Sequence, residues 1–327
     1  MTGKTMIGLA VTVLGKKAEL IERPLPGAGE NGVVVKTHYS GVSIGTEMWI
    51  ATGRRKDYGE VPFVNGYQAA GEVVEVGGNV EGVKAGDIVV VFCSGSHSQY
   101  VRADKEYVHV LPKPAAELDC SLFVMPCVGM NALNHANVNA GETVLVTGQG
   151  LIGQCTALLA RLRGAYVIAS EKSAERIGIA RKYCADWVVD AGEGRVSSQV
   201  LKRFPDGVDV VIESTGFQEI IDDAMMCVRG NYLRPCGGRF VFEGFYPDTV
   251  TYNFDIPHNR QIHAFYPCFI GPRSNQQGAV RLIASGLFNM RPLISHVVPW
   301  RESEAVYNKL LTPERNNMNG IVIDWTR

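Results

Sequence analysis

Apolar and polar positions alternate through the first third of the chain, and the period then changes. Ile7 to Leu14 and Ala18 to Arg23 read as a hairpin, and Gly32 to Tyr39 as a further strand. Gly66 to Gly77 alternates in its second half, and Gly86-Asp87 introduces the apolar run Ile88 to Phe92. Ser98 to Val101 and Tyr107 to Leu111 complete a compact β domain, closed by Pro112 and Pro114. From Leu118 onward helical and strand patterns take turns. A helix is predicted over Leu118 to Asn137. Strands follow at Thr143 to Thr147, Tyr166 to Ser170, Trp187 to Val189, Val208 to Glu213, Arg239 to Gly244 and Gln261 to Tyr266. Helices fall between them, through Leu158 to Leu162, Ala174 to Tyr183 and Gln218 to Val228. The alternation predicts an α/β fold with a doubly wound parallel sheet. Helices near Gln276 to Ser285 and Glu302 to Leu311, with a strand at Gly320 to Asp324, break it and imply a return to the first domain.

One stretch carries chemistry. After the β-branched run ending at Thr147 comes Gly148-Gln149-Gly150-Leu151-Ile152-Gly153, which fits G-x-G-x-x-G, and then the helix. Gly148 permits a tight turn, Gly150 lets a pyrophosphate approach the backbone, and Gly153 lets helix and strand pack closely. The helix N-terminus offers unpaired N–H groups to phosphate. Glu171 ends the second strand about 20 residues past the last glycine, where an acid accepts hydrogen bonds from ribose hydroxyls. Strand, glycine turn, helix, strand and acid together predict a dinucleotide site, with NAD the cofactor expected.

Composition narrows the rest. A chain of 327 residues is expected to hold about two domains. Apolar content of 46% and charged content of 20% describe a soluble globular protein, and a formal net charge of −1 gives no reason to invoke nucleic acid or membrane. The apolar run Met6 to Leu14 is too short for a span and leads into Gly15-Lys16-Lys17 rather than a cleavage site. Eight cysteines, Cys236 among them, are scattered without a C-x-x-C pair, which suits a reducing cytoplasm. The trio Arg54-Arg55-Lys56 reads as solvated surface.

Three segments together resemble the medium-chain dehydrogenases/reductases. Gly66-Tyr67-Gln68-Ala69-Ala70-Gly71-Glu72-Val73 resembles their G-H-E-x-x-G-x-V segment. Gly41-Val42-Ser43-Ile44-Gly45-Thr46-Glu47 resembles G-[VI]-C-x-[ST]-D, and the nucleotide motif is the third. Pro292 to His296 resembles the segment where that family's chain rejoins its catalytic domain. The resemblance implies a GroES-like catalytic domain over residues 1–118, a Rossmann domain over 119–267 and a return over 268–327. Homodimers or homotetramers are implied too, through the Rossmann sheet's last strand, with Ile262 to Ile270 suited to the contact. Further cofactor contacts are expected from Lys172, Arg176, Thr215, Gly244 and Phe245, beside Leu151 and Ile152.

The departures matter equally. The positions of the family's catalytic zinc ligands read Ser43, Tyr67 and Val124, and Cys93 alone occupies the region of its structural zinc loop. Neither metal is expected. Gly45-Thr46-Glu47 with Gly244-Phe245-Tyr246 resembles a zinc-lacking branch that includes the bacteriochlorophyllide dehydrogenase. The expected function is zinc-independent hydride transfer between NAD and a secondary alcohol or ketone of polyol, cyclitol or sugar type. A reductase of enones or quinones, or a non-catalytic NAD-binding protein, are the alternatives. Without zinc a side chain must manage the proton. Tyr67, Glu47, Thr46 and His97 are the candidates, since each falls on a segment that borders the substrate in the family.

Overall fold

The computed structural model describes residues 4–55, 60–231, 233, 237–246 and 248–327. Lys56 of the basic trio and Cys236 lie outside the described residues. The chain separates into two compact units, one built from the residues up to Val124 with Gln276–Arg327, the other from Met125–Asn275.

In the first unit the N-terminal hairpin pairs β1 (Thr5–Val13) with β2 (Lys17–Pro24). The long strand β3 (Gly32–Val42) runs into helix α1 (Ile44–Ala51), a helix for which the apolar pattern gave little warning. β4 (Phe63–Val64) then joins β1, and β5 (Gln68–Val76) lies antiparallel to β3. β6 (Ile88–Phe92), β7 (Tyr100–Asp104) and β8 (Val108–Val110) extend this sheet. Its alternating valines, Val33 and Val35 with Val73, Val89, Val91 and Val101, form one core.

The predicted helix over Leu118 to Asn137 is broken into α2 (Glu117–Cys120) and α3 (Val124–His135). Pro126 supplies the reason: it lacks the N–H that a continuous helix would direct at Leu122, but fits the first turn of a new one. Between the two helices Ser121 and Leu122 press on Gly41 of β3, where a side chain would lie 2.5 Å from Leu122. The segment beyond residue 118 therefore stays with the first unit. Residues 268–275 stay with the second, because Asn131 donates to the Cys268 carbonyl (3.1 Å) and Asn134 to the Asn275 side chain (3.0 Å). The compact units thus divide a few residues further along than 118/119 and 267/268.

The second unit alternates as expected. β9 (Thr143–Thr147), α4 (Leu151–Leu162), β10 (Tyr166–Glu171), α5 (Ala174–Ile179), β11 (Trp187–Asp190) and α6 (Val196–Arg203) make one half. β12 (Val210–Glu213), α7 (Ile221–Met226), β13 (Arg239–Phe242), α8 (Asp255–Arg260) and β14 (His263–Phe265) make the other. The strands form one parallel sheet in the order β11-β10-β9-β12-β13-β14. The order reverses between β9 and β12, and such a switch point is where open α/β sheets hold ligands.

Helix α9 (Arg273–Ala284) precedes β15 (Ile294–Pro299), α10 (Ser303–Leu310) and β16 (Gly320–Asp324). β16 pairs with β3 on one side and with β15 on the other, so the chain's last described strand lies within the first unit's sheet. α10 and β16 build a second core with α1 and the hairpin, around Leu9, Val11, Met48, Tyr307, Leu310, Ile321, Ile323 and Trp325. Among the described residues, no helix is long and apolar enough to cross a membrane.

Candidate active site

The glycine turn is built as its residues require. Gly148 has φ of +78°, and a side chain there would stand 2.6 Å from the Thr215 methyl. A side chain at Gly153 would lie 2.0 Å from the Gly148 carbonyl, so only glycine lets α4 start this close to the turn. Gly150 differs: a side chain there would meet nothing within 4 Å. That open space sits directly before the α4 N-terminus, with half-buried Leu151 and Ile152 beside it. The cradle fits a pyrophosphate.

Glu171 closes the turn from β10. Its carboxylate accepts the Gln149 N–H at 2.8 Å, the Lys172 N–H at 2.7 Å and the Ser173 N–H at 3.1 Å. A carboxylate has about four acceptor positions, which leaves capacity for a ribose hydroxyl. Arg176 stands 4.0 Å away, and Lys172 is exposed. On the other side of the switch point, Thr215 follows β12 and Gly244 follows β13. A side chain at Gly244 would lie 2.5 Å from the Gly216 nitrogen, so the two loops touch. Phe245 is exposed beside them.

The first unit holds a buried polar cluster around Glu47. The carboxylate lies one turn into α1, accepts the Ser43 N–H at 2.7 Å and so caps its own helix, where negative charge is favoured. Tyr307 on α10 donates to the same carboxylate (2.9 Å), and His97 Nε2 meets it at 2.9 Å. Asn65 donates to Tyr307 (2.8 Å) and to the Glu47 carbonyl (3.2 Å). On the far side of His97, Ser40 contacts Nδ1 at 2.9 Å and accepts the Trp325 indole N–H at 2.8 Å. Glu47, His97 and Ser40 have no exposed surface at all.

The protons of this chain can be assigned in order. Trp325 donates to Ser40, Ser40 donates to His97 Nδ1, and His97 donates from Nε2 to Glu47. Every hydrogen is then used once. An imidazolium would leave the Ser40 hydroxyl hydrogen without an acceptor among these contacts. Burial first, and then the charge of Glu47, hold the Tyr307 hydroxyl well above its usual range, so it remains a donor.

Two of the four expected proton-handling residues, Glu47 and His97, are thus in direct contact. Tyr67 is half-buried, its ring edge-on to Phe92 at 5.8 Å, and it acts electrostatically on Tyr307. Thr46 is set apart: one residue away on a helix means about 100° of rotation, and the cluster's hydrogen bonds do not include it. His97 does not lead outward either, because its path through Ser40 ends on an indole that only donates. Tyr307, Asn65, Ser40 and Trp325 escaped the sequence reading. The available signal was a tyrosine on the apolar side of α10.

The positions matching the family's zinc ligands present a serine hydroxyl, a phenol and an alkyl chain. Val124 is buried and gives its N–H to Gln68 Oε1 at 3.1 Å. Nearby in sequence, Cys127 is buried with its thiol pushed up by desolvation, far from a thiolate ligand. Among the described residues, no three His, Cys, Asp or Glu side chains gather as a metal site. The donor set does not fit zinc.

Comparison with known proteins gives this geometry its context. Residues 29–113 match the alcohol dehydrogenase GroES-like domain, and residues 152–285 match the zinc-binding dehydrogenase family. The chain is a medium-chain dehydrogenase/reductase. Members of this superfamily are oxidoreductases, and a nicotinamide dinucleotide is the cofactor. The medium-chain dehydrogenase fold recurs in a protein from Sinorhizobium meliloti described as a zinc-binding dehydrogenase and bound to NADP. That likeness has a TM-score of 0.85 at 22% identity, over 98% of this chain and 100% of that one. An alcohol dehydrogenase from Escherichia coli complexed with NADH gives a TM-score of 0.85 at 17% identity, over 99% and 100%. Sorbitol dehydrogenase of Gallus gallus is 26% identical over 317 residues, 86% of each chain.

Proposed function

We propose that this dehydrogenase is zinc-independent and passes hydride between NAD and a secondary alcohol or its ketone. A polyol, cyclitol or sugar derivative is the substrate class. The observation that carries the reading is the substitution of Ser43, Tyr67 and Val124 at the metal positions, beside a Glu47 carboxylate engaged by Ser43, His97 and Tyr307. The polyol class draws on the sorbitol dehydrogenase relative. The Gly45-Thr46-Glu47 segment keeps the zinc-lacking branch as the nearest kinship we propose. Bound dinucleotide supplies the hydride acceptor or donor. Tyr67 handles the substrate's proton, and the buried cluster beside it holds fixed dipoles and charge.

The test is elemental analysis with a substrate panel followed by NADH absorbance. The purified protein is expected to carry far less than one zinc per chain and to turn over a polyol-type alcohol unaffected by chelator. Stoichiometric zinc that leaves together with activity would overturn the reading.

Coenzyme choice is a separate expectation. Glu171 should favour NAD, because a 2′-phosphate sets negative charge against a carboxylate already holding three N–H groups. Glu171→Ser is expected to weaken NAD about tenfold, the worth of a hydrogen bond to a charged group. It should also narrow the gap to NADP, with Arg176 and Lys172 near enough to offer positive charge to the phosphate. Fluorescence titration of both coenzymes decides it. NADP preferred by the unaltered chain would move the reading toward the reductase class.

Assembly belongs to the same proposal. β14 ends the parallel sheet and pairs on one side with β13. Exposed Tyr266 directly follows that edge strand. A homodimer or homotetramer would cover it.

A further inference from the structure

The second unit contains a pair of carboxylates, Glu213 buried and Glu243 half-buried, that no step above uses. Glu213 ends β12 and Glu243 follows β13, at the C-terminal edge of the sheet where the dinucleotide binds. Both touch the cradle's neighbours: Glu213 holds Thr215, which abuts Gly148, and Glu243 holds Ser214, which abuts Gly153. Glu171 on β10 assigns the adenosine half to the β10–β11 side of the switch point. The nicotinamide half then falls to β12 and β13.

The two acids are unequally provided. Glu213 accepts from the Thr215 N–H (2.6 Å), the Gly216 N–H (3.2 Å) and the hydroxyls of Thr215 and Tyr246. Among the described residues, Glu243 meets two hydroxyls, those of Ser214 and of Thr156 on α4 (2.7 Å). Thr156 has one hydroxyl hydrogen and two acceptors within reach, Glu243 and the Ile152 carbonyl at 3.0 Å. The conflict disappears if Glu243 carries the proton and donates to Thr156, which donates on to Ile152. Among the described residues, neither carboxylate has a hydrogen bond or ion pair to Lys, Arg or His.

Burial, opposed by the two hydroxyls and reinforced by the charge of Glu213, pushes the Glu243 carboxyl up to about 7. The other titratable groups facing the pair are Cys155 on α4, Cys127 beyond it on α3, and Tyr246 against Glu213. Burial holds all three protonated through neutral pH. Glu243 is therefore the group of this set free to change charge, and it keeps some exposed surface through which a proton can leave.

We propose that Glu243, paired with Glu213, releases a proton when the oxidised dinucleotide binds, so that its carboxylate forms beside the positive nicotinamide ring. Glu243 is then a specificity residue for the oxidation state of the coenzyme. Among the described residues the pair has no cation of its own, and the oxidised ring supplies one while the reduced ring does not. The inference rests on dinucleotide binding at this unit, and its test separates the two.

Affinity for oxidised and reduced dinucleotide is measured with the full chain between pH 6 and pH 8. The two ligands carry the same phosphates, so any difference in pH dependence isolates the ring charge. A charge that draws the Glu243 carboxyl down by about one pKa unit gives about fivefold tighter oxidised-form binding at pH 8 than at pH 6. The reduced form should show no such rise. Indicator-dye measurement in dilute buffer at pH 7 should record roughly 0.4 proton released per chain with the oxidised form and none with the reduced. Glu243→Gln, whose amide donates to Thr156 as the neutral acid does, should abolish both effects. Parallel pH slopes for the two forms, no proton release by the unaltered chain, or a slope surviving in Glu243→Gln would overturn the proposal while dinucleotide binding stood. Failure of both forms to bind would overturn the binding site with it.

Discussion

Glu47→Ala is expected to destabilise the first unit by about 3–5 kcal/mol, the range for removing one partner from a buried charged network. Three buried donors lose their acceptor at once: the Ser43 N–H, the Tyr307 hydroxyl and His97 Nε2. Each unsatisfied group costs about 1–3 kcal/mol, and the site is too enclosed for water to replace the carboxylate without rearrangement. Glu47→Gln keeps the volume but sets an NH₂ against donors, so its loss should be smaller and still measurable. With two units, a single unfolding transition is not assured. The informative measurement is hydrogen exchange resolved along the chain, where protection should fall across α1, α10 and β16 but persist in the parallel sheet. An alanine variant with parent-like protection in those elements would mean that the cluster contributes little.

Tyr67→Phe is expected to lower kcat by roughly 10²–10⁴-fold, the usual contribution of a positioned acid–base group. The ring contact with Phe92 survives the change, so folding should be preserved. Coenzyme affinity should be unchanged, since the dinucleotide cradle belongs to the other unit. Steady-state rates on an authentic substrate, with coenzyme titration as control, decide the matter. Near-parent turnover would remove Tyr67 from the chemistry and return the proton to some other group.

Local pattern made the parallel-sheet unit readable. Its strands are short apolar runs punctuated by glycine, and the glycine turn with its flanking strands and helix lies within one continuous stretch from Thr143 to Glu171. The first unit's strands were equally plain, Ile88 to Phe92 and Gly320 to Asp324 among them. Helix α1 was harder to see because its residues, IGTEMWIA, are apolar nearly all round and carry a glycine. The Glu47 cluster was only half visible. Glu47 and His97 stood out as polar residues in segments with a chemical precedent, but their contact is made by folding across 50 positions. Tyr307 comes from a helix whose face is decided by packing, and Trp325 from a strand end with no motif. Glu213 and Glu243 read as ordinary strand termini; their lack of a cation partner among the described residues is a property of the folded sheet alone.

Strand β16 gives the first unit a dependence on the order of synthesis. Ser40 meets Trp325 across 285 positions, and Glu47 meets Tyr307 across 260. At about 5–20 residues per second, roughly 15–60 s separate the emergence of one side of each contact from the other. Throughout that interval the stretch of β3 from Tyr39 to Val42 has no β16 to pair with, and Glu47 has no Tyr307. The parallel sheet, made of contiguous residues, reaches completion first. A ribosome paused between the two leaves a finished nucleotide unit tethered to an open strand edge, the state in which a nascent chain is most exposed to joining its neighbour's edge instead of its own.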